Sequence, residues 1–168
     1  YFCKRADGPY MKGKVWPGEC NFPDYTNPEV REWWAGLFKE LISDFGVKGV
    51  WNDMNEPAVM EVPGKTFPMD VRHDYDGNPC SHRKAHNIYG TQMARATYEG
   101  VKQFAYPKRP FIITRSAYSG AQRYTSSWTG DNVASWEHLW IANIQMQRMS
   151  ISGMGFTGSD IGGFAEQP

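Results

Sequence analysis

The chain has 168 residues, 40% hydrophobic and 21% charged, which suits one globular domain and excludes intrinsic disorder. Its 18 basic residues balance 18 acidic ones, so it lacks the basic field that nucleic acid or an anionic membrane surface requires. No apolar run approaches the ~18–20 residues of a membrane span.

Residues 1–27 are rich in Gly, Pro and aromatic side chains and read as strand ends and loops. The segment "NPEVREWWAGLFKELISDFG" predicts a helix, with Asn27 as cap, Pro28 in the first turn and Gly46 as stop. Trp33, Trp34, Leu37, Phe38, Leu41 and Ile42 form its apolar stripe. "VKGVW" follows as a short buried strand that ends at Asn52 and Asp53. Residues 58–85 are polar and turn-rich and read as a long surface loop. A second helix is expected from about residue 87 to 104, then a strand in "RPFIITRS" and a strand end in "TSSWTGDN". Ser135 caps a third helix, and "SGMGFTGSDIGGF" gives a last strand and a glycine-rich turn.

The alternation of helices and strands predicts an α/β fold with a parallel sheet. Polar residues cluster just after the strands, at Asp53, Glu56, Arg115, Asp131 and Asp160. In an α/β barrel that end of the sheet is the catalytic face, and in a doubly wound sheet it is the ligand crevice. The three cysteines, Cys3, Cys20 and Cys80, are widely spaced and odd in number, which excludes a complete disulfide framework and leaves one bridge open. The chain begins at Tyr1 with no signal-peptide pattern and reads as a piece of a longer protein.

Asp53 and Asp131, each at a strand end, suit the paired carboxyl groups of glycoside hydrolysis, one attacking the anomeric carbon and the other protonating the leaving oxygen. The residues alone leave a second reading open. Asp and Asn near Pro make turns and caps, and "GDN" is a common turn. No metal site is expected, since His73, Cys80 and His82 fall in a polar segment and "DYDGN" lacks the acids of a calcium loop. "GSDIGGF" lacks the spacing of a phosphate-binding loop, and no cofactor is expected.

"GVWNDMNEP" resembles the nucleophile motif of glycoside hydrolase family 31, in its α-glucosidase branch. "GKVWPGECNFPDYTNPEVREWW", "RPFIITRSAYSGAQRYTSSWTGDN" and "GFTGSDIGGF" are similar to further segments of that family, in its order. The resemblance implies part of a (β/α)8 TIM barrel, roughly from the third strand to just after the seventh, with residues 1–168 a partial catalytic domain and the flanking domains absent. It implies a retaining exo-α-glucosidase that acts on terminal non-reducing α-linked glucose, with Asp53 as nucleophile and Asp131 as acid/base. It implies Arg115, Trp16, Trp51, Trp128 and Asp160 as substrate-binding residues, Asp160 either on the sugar or on Arg115, and Glu56 as a support. Trp33, Trp34, Trp136 and Trp140 lie on helices and are expected to be packing residues. The partner implied is an oligosaccharide or α-glucoside, not nucleic acid or membrane. "WNDMNE" stands where the family's α-xylosidase branch has a KTDFGE-like segment, which favours glucose over xylose. The alternatives are another family member, such as an α-glucan lyase, α-galactosidase or α-xylosidase, and a catalytically silent carbohydrate-binding barrel.

Overall fold

The computed structural model describes residues 1–166. An antiparallel hairpin, β1 (Lys12–Val15) and β2 (Gly18–Asn21), comes first. Helix α1 (Pro28–Gly36) starts as its residues dictate: Asn27 is extended and its side-chain oxygen accepts the Glu29 N–H at 2.8 Å.

The single helix expected through residue 46 is interrupted. The Leu37 and Phe38 N–H groups bond carbonyls three residues back, and Glu40–Asp44 then widens into a π turn. The close crossing of α2 (His82–Ala105) accompanies this change of pitch, since a Cβ on Gly100 would lie 2.6 Å from the Ala35 carbonyl oxygen. With this adjustment Phe38 and Ile42 are buried with Val101 and Ile112, while Leu37 and Leu41 stay exposed.

Strand β3 (Val50–Asn52) follows. Residues 58–85 are not the surface loop that their polarity predicts. Val59, Phe67, Val71 and His73 are buried, and β4 (Arg72–His73) pairs with β5 (Cys80–Ser81). Apolar contacts override local polarity here, with Phe67 edge-on to Phe22 at 4.9 Å and to Tyr89 at 5.7 Å. Helix α2 also begins five residues before the expected Asn87. The His82 and Arg83 N–H groups find carbonyl partners at Val71 and Met69, and the buried His82 ring lies under the hairpin.

β6 (Ile112–Thr114) and β7 (Ser126–Trp128) follow, joined by a short 3-10 turn at Ala121–Arg123. Helix α3 (Trp136–Ile151) is capped by Ser135, whose hydroxyl accepts the His138 N–H at 3.1 Å, and leads to β8 (Thr157–Gly158). These strands form one parallel sheet in the order β3-β6-β7-β8. The order of helices and parallel strands is the one that the sequence predicts. Helix α2 packs against β3 and β6. Trp33 and Trp34 pack as expected, against Tyr1 and Tyr25 respectively. Trp136 and Trp140 do not: α3 rests on β8, and both rings stand exposed. All three cysteines are free, and no helix among the described residues is long and apolar enough to cross a membrane.

Candidate active site

Asp53 stands one residue after β3, Arg115 one after β6, Asp131 three after β7 and Asp160 two after β8. Because these strands are parallel, all four lie at the carboxyl end of one sheet. Gly130, at φ +83, turns the chain just before Asp131 and leaves room for the Arg115 side chain, which a Cβ would meet at 3.7 Å.

Arg115 is the hub. Its Nε and Nη2 donate to the two Glu56 oxygens at 2.8 and 3.0 Å, the forked geometry that guanidinium and carboxylate share. Its Nη1 lies 3.0 Å from Asp53 Oδ1 and 3.9 Å from Asp131 Oδ2. The hydrogen bonds that Arg115 donates to Glu56 are the main influence that raises its pKa. Burial opposes it, and the charges of Glu56, Asp53 and Asp131 add to it. Asp53 and Asp131 therefore flank a permanent cation carried by the strand between theirs. Since one nitrogen touches both, their two oxygens lie no farther apart than those contacts laid end to end, about 7 Å. Side-chain exposure rises outward, from 17% at Arg115 to 35% at Asp53 and 52% at Asp131.

Among the described residues, both polar contacts of the Asp53 carboxylate fall on Oδ1, from Arg115 and from the Met54 N–H at 2.8 Å. Oδ2 is left without a hydrogen bond. Trp51 and Trp128, on the strands that flank β6, meet edge-to-face at 5.4 Å, Trp128 buried and Trp51 open to solvent. Trp16 is 82% exposed beyond the end of β1, and among the described residues no aromatic ring pairs with it. Asp160 is not among the carboxylates on Arg115. Its carbonyl accepts from Asn132 Nδ2 and from the Gly163 N–H, and it lines a cavity of about 400 Å³ with Asn132, Trp136 and Ile161. A cavity of about 440 Å³ opens on Arg109, Phe111 and Ser126, at the amino-terminal end of β6 and β7, and contains no acid.

Sequence reasoning left three residues of the site unassigned. Met54, at φ +57, places its sulfur 3.0 Å from Arg115 Nη2. Asn55 is buried and bonds Thr114 and Ser116, and Gly90 presses on the same turn from α2. A helical Gly in "NIYGTQ" and an Asn within a carboxylate motif were the available signals.

A second polar cluster lies away from the strand ends. Asp24 Oδ1 accepts from His73 Nδ1 at 3.0 Å, His73 Nε2 meets His82 Nδ1 at 2.9 Å, and His82 Nε2 meets His86 Nδ1 at 2.9 Å. Burial works to raise the Asp24 pKa, but hydrogen bonds from His73, the Asp74 N–H and Thr26 hold it below its ordinary value. Burial first, then the neighbouring imidazoles, pushes the His82 pKa down to about 3. With Asp24 ionised, neutral rings run one way, each Nδ1 donating and each Nε2 accepting. Cys3, Asp24 and His73 bring potential metal donors within 4.8 Å of one another, a grouping that differs from the His73, Cys80 and His82 noted in the sequence. Asp24 Oδ1 already accepts from His73 and Thr26, and the Cys3 thiol donates to the Pro23 carbonyl.

The sequence profile of the "Glycosyl hydrolases family 31 TIM-barrel domain" matches residues 1–168. Alpha-glucosidase 2 of Bacillus thermoamyloliquefaciens is 48% identical over 165 residues, which are 98% of this chain and 21% of that protein. Human neutral alpha-glucosidase C is 42% identical over 171 residues, covering all of this chain and 18% of the relative. The crystal structure of a glucosidase II alpha subunit, bound to alpha3-Glc2, superposes with a TM-score of 0.91 at 38% identity, over 99% of this chain and 18% of that one. The chain thus spans about a fifth of the length of the curated relatives it matches. Its four-stranded parallel sheet is an arc of a barrel, and the chain belongs to glycosyl hydrolase family 31, within that family's TIM-barrel domain.

Proposed function

We propose that the protein containing this chain is a retaining exo-α-glucosidase that removes terminal non-reducing α-linked glucose, with Asp53 as nucleophile and Asp131 as acid/base. The observation that carries the reading is the convergence of both carboxylates on Arg115, with oxygens within about 7 Å. Retaining enzymes need carboxyl groups about 5–5.5 Å apart, a separation that this oxygen-to-oxygen bound accommodates. The alpha-glucosidase names of the relatives supply the substrate class.

In the first step Asp53 Oδ2, the oxygen without a hydrogen bond, attacks the anomeric carbon. The bond from that carbon to the leaving oxygen breaks, and the Asp131 proton goes to the leaving group. In the second step Asp131 takes a proton from water, whose oxygen attacks the same carbon and releases the Asp53 carboxylate. Two inversions return the α configuration. Glu56 holds the Nε and Nη2 edge of Arg115, which leaves Nη1 facing the reacting groups. Trp51 and Trp128 offer ring faces to the sugar's C–H face, and Trp16 and Asp160 join the binding set on the family resemblance.

Two measurements on the full-length protein test this. α-Glucose is expected as the first product by proton NMR, and 5-fluoro-α-glucosyl fluoride is expected to leave its sugar on Asp53. β-Glucose as first product, or no adduct on Asp53, overturns the assignment. An elimination product in place of glucose moves the reading to a lyase.

A further inference from the structure

We propose that Asn55 is a positioning residue that fixes the nucleophile turn against the Arg115 turn through both half-reactions. The proposal rests on the retaining reading above. Asn55 is buried. Its Nδ2 donates to Thr114 Oγ1 at 2.7 Å, and its Oδ1 accepts the Ser116 N–H at 3.0 Å. Thr114 Oγ1 donates in turn to the Ser116 carbonyl at 3.2 Å, which commits its proton and leaves its lone pairs for the amide. One neutral side chain therefore grips the residues on both sides of Arg115. It does so from between Met54 and Glu56, which are themselves Arg115 partners.

Helix α2 backs this clasp. A Cβ on Gly90 would lie 2.7 Å from the Ser116 carbonyl oxygen and 2.9 Å from that of Asn55, so the bare helix backbone is a floor under both turns. The clasp and the floor fix two loops that follow adjacent parallel strands, β3 and β6.

Such a link has a specific use in a double-displacement cycle. The ion pair between Arg115 and Asp53 depends on the Asp53 charge, which disappears when the carboxylate becomes a glycosyl ester. Attraction across the two turns weakens at that moment, just before water must attack along a defined line. The Asn55 bonds are neutral and buried, and no step of the cycle changes their charge. Together with the Glu56 fork on Arg115, which also keeps its charge, they hold the turns in register when the Asp53 ion pair cannot. Misplacement of reacting groups by about 1 Å is enough to lower rates on the order of 100-fold.

The test uses full-length enzyme and two rate constants measured per folded molecule, well below the melting temperature. Labelling of Asp53 by 5-fluoro-α-glucosyl fluoride reads the first half-reaction. Reactivation of the trapped adduct, after excess reagent is removed, reads the second. Asn55→Ala is expected to slow labelling by about 10-fold and reactivation by about 100-fold, within the range that misalignment produces. Thr114→Val removes the Nδ2 acceptor and the hydroxyl's own bond to the Ser116 carbonyl at conserved volume, keeps the Oδ1 bond to the Ser116 N–H, and is expected to slow both rates less, in the same order. Rates within twofold of wild type in Asn55→Ala overturn the proposal, whatever happens to the melting temperature. If Asn55→Ala yields no folded protein, unchanged rates in Thr114→Val overturn it instead. A wild-type enzyme that is not labelled at Asp53 fails the retaining reading itself, a separate result.

Discussion

Acids and bases meet in two places in this molecule, around Arg115 and along the row from Asp24 to His86, and the two places differ in how fully they are satisfied. In the row, Asp24, His73 and His82 are buried, and each ring nitrogen of His73 and His82 has a partner. Around Arg115, exposure rises outward and Asp53 keeps one oxygen unbonded among the described residues. A buried and satisfied polar network rigidifies its surroundings, whereas a carboxylate with an open oxygen can form a new bond. Charge and hydrogen bonds occur in both, so an oxygen without a partner among the described residues is what sets the proposed reacting site apart from the buried row.

Substitutions can break that contrast, and the largest effect is expected at the open oxygen. Asp53→Asn in the full-length enzyme should lower kcat on the order of 10,000-fold or more, with the melting temperature nearly unchanged. Steady-state kinetics with thermal unfolding check it, and a large fall in stability would place Asp53 with the structural groups. His73→Leu should do the opposite. It takes one hydrogen bond from the buried Asp24 carboxylate and leaves those from Asp74 and Thr26, a loss of about 3 kcal/mol of stability, while turnover per folded molecule is kept. Denaturant unfolding and active-site titration by adduct formation measure the two quantities.

Arg115→Lys keeps the charge but loses the fork that grips Glu56, and kcat/KM should fall on the order of 100-fold. Smallest is the pH effect of the buried row. The folded pKa of His82, about 3, lies below its ordinary 6.5, so the unfolded chain binds the proton more readily. Its contribution is complete above about pH 6.5 and is lost progressively as pH falls toward 3. Between pH 7 and 5 the stability should drop on the order of 2 kcal/mol. Asp24 adds no slope in that window, because its contribution is lost only below its ordinary 3.8. Unfolding at several pH values checks the drop, and His82→Phe should flatten it.

How much of this was legible in the sequence varies with the range of the forces involved. The caps at Asn27 and Ser135, the parallel strands and the positions of Asp53, Arg115 and Asp131 after them follow from local patterns. Such patterns need only a few neighbouring residues. Glu56 was legible as a neighbour of Asp53, but not as the forked partner of Arg115, which is 59 residues away in the chain. Residues 58–85 misled because polar turns hide buried positions such as Phe67 and Val71, whose partners Phe22 and Tyr89 are distant in sequence. The break in the first helix needed knowledge of Gly100 on another helix. The histidine row was illegible for the same reason, since its acid comes from a loop 49 residues before His73.

The strand order has one more consequence. β6 lies between β3 and β7, so the two carboxylates stand on strands that hydrogen-bond to a common neighbour and not to each other. Adjacent strands are about 4.8 Å apart, so two steps across the sheet span roughly 9.6 Å. The backbone ladder is thus a ruler that sets a coarse distance, and the turns after β3 and β7 need only shorten it by a few ångströms. Substitution within the strands leaves that ruler intact. On the retaining reading proposed above, the carboxylate separation that decides the stereochemical course is therefore set mainly in two short turns.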